Sequence, residues 1–188
     1  MDIGRRRALV ALALCSACSK SQQRNTDTPA ATASAPDPHT SATVTPDGYG
    51  PVRIGASLAQ LSTAIGTNVP AARTADEKSC RLVFLGALPR GVRAMLVNDS
   101  VARIDVDAAG ARTAEGAGVG DAESRVVKLY GGRATVTPHK YTGPVGHYVT
   151  VIVPGDSLRR LVFETDGQKI LRFRAGRVPA VELVEGCA

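Results

Sequence analysis

Residues 55–66 read GASLAQLSTAIG and predict one short helix with a capping signal at each end. Ser57 and Gln60 have the spacing of a capping box, in which each side chain bonds the other residue's backbone. Three apolar residues recur at helical spacing on one face: Leu58, Leu61 and Ile65. Gly66 suits the left-handed conformation that commonly ends a helix. The stretch therefore predicts an amphipathic helix that begins after Ser57 and ends at Gly66.

A looser copy of this stretch, GDAESRVVKLYG, occupies residues 120–131. We expect Asp121 to cap its first turn, and we expect Glu123 to suit the positive end of the helix dipole. The apolar side is expected to carry Ala122, Val126 and Leu129, with Tyr130 beside them and Gly131 as the stop. The two copies predict a weak internal repeat within one domain.

Runs that favour β-strands follow each helix. In chain order they cover residues 80–85, 92–97, 101–106, 134–137, 147–153, 159–165 and 168–173. Each half of the chain therefore predicts a helix followed by an antiparallel meander. The predicted fold class is α+β, with one domain over residues 48–188 in two tandem halves of about 48–110 and 111–188.

The last two runs predict the clearest hairpin. Asp166-Gly167 lies between them and is typical of a two-residue type I′ turn. Such a turn sets Glu164 opposite Lys169 and Phe163 opposite Ile170. The predicted register places three arginines on one face of the sheet, namely Arg159, Arg172 and Arg174.

The pattern G-x-[ST]-x-x-x-[VL]-x-x-x-x-G before a meander resembles small outer-membrane assembly lipoproteins of the SmpA/BamE type. It is also similar to the tandem repeats of the β-lactamase inhibitor protein. The second copy departs from the pattern at Ala122, where Ser or Thr is expected. The closing run FRAGRVPAVELVEGCA resembles the ends of uncharacterised bacterial envelope lipoproteins. These resemblances imply an envelope location and a protein-binding role without an active site, and they transfer no binding residue.

The first residues resemble the signal and lipobox of bacterial lipoproteins. Three arginines at positions 5–7 precede the apolar run 8–14, and the small residues Ser16-Ala17 stand directly before Cys18. The resemblance implies that residues 1–17 are removed and that Cys18 carries the lipid. The apolar run is about half the roughly 20 residues that a membrane-spanning helix needs.

Two features of this segment leave alternatives open. Ser19 follows Cys18, and by the sorting rule of the lipoprotein family a residue other than Asp favours the outer membrane. Cys15 stands where that family usually has Leu, and it is a rival for modification. An ordinary cleaved signal, which yields a soluble periplasmic protein, is the alternative to a lipid anchor.

Two cysteines remain after the signal and the anchor, Cys80 and Cys187. The periplasm is oxidising, so we expect them to form one intramolecular disulfide. Residues 18–47 are rich in Ser, Thr, Ala and Pro and poor in large apolar side chains. Such a composition favours a disordered tether between the lipid and the domain.

The chain has a formal net charge of +6, with 23 Lys and Arg against 17 Asp and Glu. A basic domain in the envelope suits an acidic protein, anionic lipopolysaccharide or the carboxylates of peptidoglycan. Nucleic acid is not an expected partner in that compartment. The chain contains no Trp and few aromatic residues, so we expect a core of aliphatic side chains.

Signals for catalysis or metal binding are weak. Of the three histidines, His39 lies in the expected tether, whereas His139 and His147 lie apart in the domain. No nucleophile elbow is present, and no two histidines have metal-ligand spacing. Glu182 and Glu185 are candidates for paired catalytic carboxylates only by proximity. We expect no enzyme activity, no metal and no cofactor.

Two segments are candidates for a binding surface. The C-terminal hairpin is rich in basic residues: Arg159, Arg160, Lys169, Arg172, Arg174 and Arg177. The second segment carries His139, Lys140 and Tyr141, and Tyr and Arg are common anchors of interfaces. The leading hypothesis is an outer-membrane lipoprotein that acts as a periplasmic protein-binding module, as an inhibitor, immunity factor or envelope-assembly accessory. The alternative is a module for anionic glycan, peptidoglycan or lipopolysaccharide, which the guanidinium groups would bind.

Overall fold

A computed structural model of the chain describes residues 42–187. The helices are α1 (Leu58–Ile65), α2 (Ala75–Ser79) and α3 (Glu123–Tyr130). Three short strands come first: β1 (Val44–Thr45), β2 (Gly48–Tyr49) and β3 (Val52–Arg53). The longer strands are β4 (Arg81–Phe84), β5 (Val92–Val97), β6 (Ser100–Val106), β7 (Ala134–Pro138), β8 (His147–Val153), β9 (Asp156–Thr165) and β10 (Ile170–Arg177).

The seven longer strands form one antiparallel sheet in the order β4-β5-β6-β10-β9-β8-β7. The three short strands form a separate small sheet. Helices and antiparallel sheets thus confirm the α+β fold class. The two meanders meet where β6 pairs with β10 in the middle of the large sheet.

The hydrophobic core lies between the helices and one face of the large sheet, here called the helix face. Its largest buried side chains include Phe163, Phe173, Leu61, Ile104, Leu161 and Ile170. The rings of Phe163 and Phe173 stack with centroids 5.3 Å apart. Burying each such side chain contributes about 1.5–3 kcal/mol, so this face supplies most of the apolar stabilisation.

Helix α1 forms for the predicted reasons. The Ser57 hydroxyl accepts from the Gln60 amide at 3.3 Å, and the Gln60 side chain accepts from the Ser57 amide at 2.9 Å. Gly66 ends the helix in the left-handed conformation, and Leu61 is buried. The capping box, the buried side and the stop at Gly66 are confirmed.

Helix α3 begins differently from the prediction. Its N-cap is Ala122, whose methyl group cannot accept a hydrogen bond, so the prediction of Asp121 as the cap is wrong. The Asp121 carboxylate instead accepts from the Gly118 amide at 2.9 Å and pairs with Arg112 and Arg125. The carboxylate therefore bonds an amide that lies before the helix and none in its first turn. The end at Gly131 is confirmed.

The same backbone joint, a reciprocal pair of hydrogen bonds to a strand, occurs before α1 and before α3. The Gly55 amide donates to the Val101 carbonyl at 2.7 Å, and the Gly120 amide donates to the Ile170 carbonyl at 2.8 Å. Reciprocal bonds run from Val101 to Ala56 at 2.9 Å and from Ile170 to Asp121 at 2.8 Å. The correspondence supports the predicted repeat at these joints, while the division into two equivalent halves stays a prediction.

The packed domain begins before the predicted boundary at Gly48. Val44 is fully buried, and its amide donates to the Arg112 carbonyl at 2.8 Å. Val44 therefore belongs to the core and not to a tether. The predicted signal peptide, the predicted lipidation at Cys18, and His39 lie outside the described residues.

The predicted register of the last hairpin is wrong. Glu164 lies opposite Arg172, and Phe163 lies opposite Phe173. The Asp166 carboxylate accepts from the amides of the two residues at the end of the turn, Gln168 and Lys169, at 2.9 Å each. This local capping lengthens the turn, and a register irregularity follows it in β10. A register shift by an odd number of residues moves a side chain to the other face of the sheet. The shift therefore places Arg172 and Arg174 on a different face from Arg159.

A candidate interaction surface built on the Glu164 network

The second face of the large sheet carries charged residues and lies beneath residues 178–187, which we call the C-terminal strap. The Arg103 guanidinium donates to the Ala180 carbonyl at 2.8 Å and to the Leu183 carbonyl at 2.7 Å. Arg174 Nε donates to the Val181 carbonyl at 2.6 Å. These bonds satisfy strap carbonyls that the sheet would otherwise bury without partners. We call this side of the sheet the strap face.

A disulfide holds the far end of the strap. Cys80, directly before β4, is bonded to Cys187, as predicted. The strap therefore starts at the end of β10, crosses the middle of the sheet and is fixed next to an edge strand.

Glu164 is the centre of the polar network on this face and is buried. Its carboxylate accepts from Arg172 Nε at 2.5 Å and from Arg174 Nη1. Burial raises the pKa of Glu164, but the charges and hydrogen bonds of Arg174 and Arg172 together outweigh burial, and the pKa is lowered. Burial likewise lowers the pKa of Arg174, and Glu164 opposes that effect. The two guanidinium groups thus favour the charged form of the buried carboxylate.

His139 links this network to a loop. Nε2 of the buried imidazole lies 3.4 Å from Oε2 of Glu164. The imidazole also stacks on the Tyr148 ring, with the two ring centroids 4.4 Å apart. Its Nδ1 accepts from the amides of Tyr141 at 3.1 Å and Thr142 at 3.3 Å. Because Nδ1 accepts two hydrogen bonds, the ring proton lies on Nε2 and points to the carboxylate. His139, a candidate for the binding surface, is therefore buried, since its ring is used inside the loop.

Residues 139–146 form a tightly bonded connection between β7 and β8, here called the 139–146 loop. Its internal bonds run from His139 N to Gly146 O at 2.9 Å, from Gly143 N to His139 O at 2.9 Å and from Gly146 N to Thr142 O at 3.0 Å. Tyr141 and Val145 nevertheless project outward, with 57% and 69% of their surface exposed. A rigid backbone thus presents two large apolar side chains to solvent.

The neighbouring elements support this loop from two sides. A Cβ placed at Gly167 would lie 2.2 Å from the Val145 carbonyl oxygen, so the β9–β10 turn packs directly against the loop. On the other side, Lys140 Nζ lies 3.3 Å from the Glu185 carboxylate of the strap. The loop, the hairpin turn and the strap therefore form one continuous surface.

The structure separates the three arginines that the predicted register placed together. Arg172 and Arg174 meet at Glu164 on the strap face. Arg159 lies opposite Arg177 and shares the helix-face alternation of Phe163, so its placement with the other two is wrong. Its guanidinium pairs with Asp156 at 2.7 Å and also with Asp47.

Sequence reasoning identified Tyr141 and His139 but missed Glu164 as their organising residue. A usable signal was present, because Glu164 interrupts the apolar run LVFET of β9. A carboxylate in a buried strand needs cationic partners on the neighbouring strands. Glu182 and Glu185 were the candidates for paired catalytic carboxylates. Glu182 forms an ion pair with Arg160, and Glu185 forms one with Lys140.

A second polar cluster joins α3 to the sheet. The Glu123 carboxylate lies 2.9 Å from His147 Nδ1 and also accepts from the Thr165 hydroxyl. In a catalytic relay the imidazole stands between the hydroxyl and the carboxylate. Here the carboxylate stands in the middle, an order that ties three elements together and does not activate Thr165.

Among residues 42–187 we find no group of three or more His, Cys, Asp or Glu side chains arranged to hold a metal ion. No helix in this part of the chain has the length and apolar character that crossing a membrane requires. Comparison of the chain with protein families, with curated proteins and with solved structures gave no match.

Proposed function

We propose that this chain is an outer-membrane lipoprotein that acts as a protein-binding module in the periplasm, with the 139–146 loop as its main contact. The observation that carries the proposal is the exposure of Tyr141 and Val145 on a backbone fixed by His139. Apolar side chains that are grouped on one part of a surface mark contacts with other proteins, and Tyr is a frequent anchor. The lipid anchor at Cys18 and the inhibitor, immunity or assembly role belong to the same proposal.

Rigidity favours this role because a fixed loop loses little conformational entropy on binding. The loop is also continuous with β7, an edge strand of the large sheet. Val136 in that strand is partly exposed, and an edge strand offers backbone groups to a partner. A partner that covers the loop can therefore extend its contact along β7.

Several features support binding over catalysis. Each charged group of the Glu164 network is paired with another residue of the network. His139 uses one ring nitrogen on the loop amides and the other on Glu164. A general base needs a nitrogen within reach of a substrate. We therefore propose a structural role for this histidine, and a non-enzymatic role for the domain.

Site-specific photocrosslinking tests the proposal. The full chain carries p-benzoylphenylalanine at Tyr141 and is expressed in the bacterium that encodes it. The matched control carries the same group at Leu158 in β9, which is similarly exposed at 48%. We expect one discrete protein adduct from position 141 and none from position 158. Absence of an adduct at 141, or the same adducts from both positions, would contradict the proposal.

Arg172 supports the alternative, a site for anionic glycan, peptidoglycan or lipopolysaccharide. Its side chain is 56% exposed although Nε is paired with Glu164. Arg172→Gln is the informative variant, because Arg174 is buried and its replacement would disturb the fold. The alternative expects salt-sensitive binding of purified lipopolysaccharide that weakens several-fold in Arg172→Gln and not in the exposed control Arg90→Gln. Equal binding by both variants would exclude Arg172 as the site.

A further inference from the structure

An apolar cavity of about 420 Å³ lies at the end of the large sheet where β10 leaves it and the strap begins. One wall consists of the strap residues Val178, Pro179, Ala180 and Leu183. The facing wall comes from the β5–β6 hairpin and includes Val97, Val101 and Ala102. The volume lies within the roughly 300–1,000 Å³ of cavities that hold small organic ligands. This cavity is separate from the 139–146 loop, so it does not depend on the proposed function.

The polar lining of this cavity is sparse. Beside the apolar residues, Ser79, Ser100 and Arg177 contribute to its lining. No carboxylate oxygen of residues 42–187 lies within 4.0 Å of the Arg177 guanidinium, whereas its neighbours Arg159 and Arg160 each pair with a carboxylate. Arg177 is thus an unneutralised cation at an apolar cavity.

We propose that this cavity binds a fatty acid, with the alkyl chain against the strap wall and the carboxylate at Arg177. The apolar lining favours an alkyl chain through the hydrophobic effect. The guanidinium fork matches the geometry of a carboxylate and bonds it bidentately. The single guanidinium balances the one negative charge of a fatty acid, whereas a phosphate monoester carries up to two.

The strap gives the cavity a fixed wall. The two Arg103 bonds hold the strap at Ala180 and Leu183, and both of these residues line the cavity. Cys80 also lines it and bonds the end of the strap through Cys187. A preformed wall reduces the ordering cost of binding, because the strap does not have to close around the ligand.

Calorimetric titration of the purified full chain with dodecanoate, below its micellar concentration, tests the proposal. Dodecyl phosphate and the neutral dodecyl maltoside are the comparison ligands. We expect saturable binding of dodecanoate, weaker binding of dodecyl phosphate and at least tenfold weaker binding of the maltoside. Absence of saturable dodecanoate binding, or equal binding of the neutral ligand, would overturn the proposal.

Two variants locate the site. Arg177→Gln should weaken dodecanoate binding about tenfold or more and leave the neutral probe N-phenyl-1-naphthylamine unchanged. Ala102→Leu, which fills the cavity, should weaken both ligands, and the exposed control Arg90→Gln should change neither. Circular dichroism verifies that each variant is folded. Unchanged dodecanoate binding in folded Arg177→Gln, or an equal loss in Arg90→Gln, would contradict the assignment.

Discussion

The two faces of the large sheet use the same strands in opposite ways. On the helix face, Phe163 and Phe173 stack in an apolar core. On the strap face, their chain neighbours Glu164 and Arg174 form a buried ion pair. The helix face gains stability by excluding water, whereas the strap face gains a fixed geometry by satisfying charges and backbone carbonyls. The fold and the candidate surface therefore depend on alternate residues of the same strands.

The largest expected effect is on the helix face. Phe163→Ala should lower the free energy of unfolding by about 4 kcal/mol, because it removes a fully buried ring and leaves a cavity. Urea denaturation measures the loss. The matched control is Phe84→Ala, since Phe84 is 78% exposed and its replacement should change stability by less than about 0.5 kcal/mol. Similar losses of unfolding free energy in both variants would contradict the assignment of Phe163 to the core and Phe84 to the surface.

Removal of the disulfide addresses the strap face. The double variant Cys80→Ser with Cys187→Ser should lose about 3 kcal/mol, because the bond joins residues 107 positions apart and restricts the unfolded chain. Thermal unfolding under oxidising conditions measures this change. Amide exchange should speed up in the strap and remain slow in α3. Uniform acceleration across both faces would contradict an independently fastened strap.

The Glu164 network should show itself in the dependence of stability on pH. The pKa of Glu164 is lowered in the folded protein, so its ionised form stabilises the fold above the ordinary pKa near 4.5. That contribution is lost as the pH falls through the lowered folded-state pKa. Glu164→Gln should therefore cost about 2 kcal/mol at pH 7, and the difference from wild type should shrink below pH 4.5.

Urea denaturation at a series of pH values measures this difference. Glu182→Gln is the control, because Glu182 is half exposed and pairs with Arg160 near the surface. Surface pairs contribute about 0–1 kcal/mol, so this variant should change stability little at any pH. A constant deficit of Glu164→Gln from pH 7 to pH 3 would exclude the ionised network as the cause.

The smallest expected effect concerns the cap of α1. Ser57→Ala should lose about 1 kcal/mol, since it removes the hydroxyl that accepts from Gln60. Ala122→Ser at the equivalent position of α3 adds a hydroxyl where the first turn has none, and it should gain a few tenths of a kcal/mol. Thermal unfolding of both variants compares the two joints. If Ser57→Ala lost and Ala122→Ser gained several kcal/mol of stability, the view that packing on the helix face dominates stability would be contradicted.

The sequence predicted those elements whose signals are local. The α1 cap, the stop at Gly66 and the β5 strand need only neighbouring residues, and all three agree with the structure. Helix α2 was not predicted, because its five residues are too short to show an apolar periodicity. Thr74 followed by Glu77 at capping distance was a local signal for its start.

The candidate surface was less predictable because it depends on register. The Asp166 carboxylate caps two amides of a turn longer than predicted, and an irregularity between Ile170 and Arg172 then shifts the rest of β10 by one further residue relative to β9. The shift brings Arg172 opposite Glu164 and separates Arg159 from the network. His139 is buried because the loop after it folds back, so that the amides of Tyr141 and Thr142 donate to its imidazole. No spacing of residues in the sequence predicts these hydrogen bonds.

The Glu164 network fixes the 139–146 loop through His139. Amide hydrogen exchange at Tyr141 and Thr142 tests it in wild type and in His139→Phe, a variant that can keep the stacking on Tyr148 but cannot accept hydrogen bonds. We predict protection of both amides in wild type and about tenfold faster exchange in the variant, which corresponds to about 1.4 kcal/mol. Unprotected amides in wild type, or identical exchange in the variant, would contradict the claim.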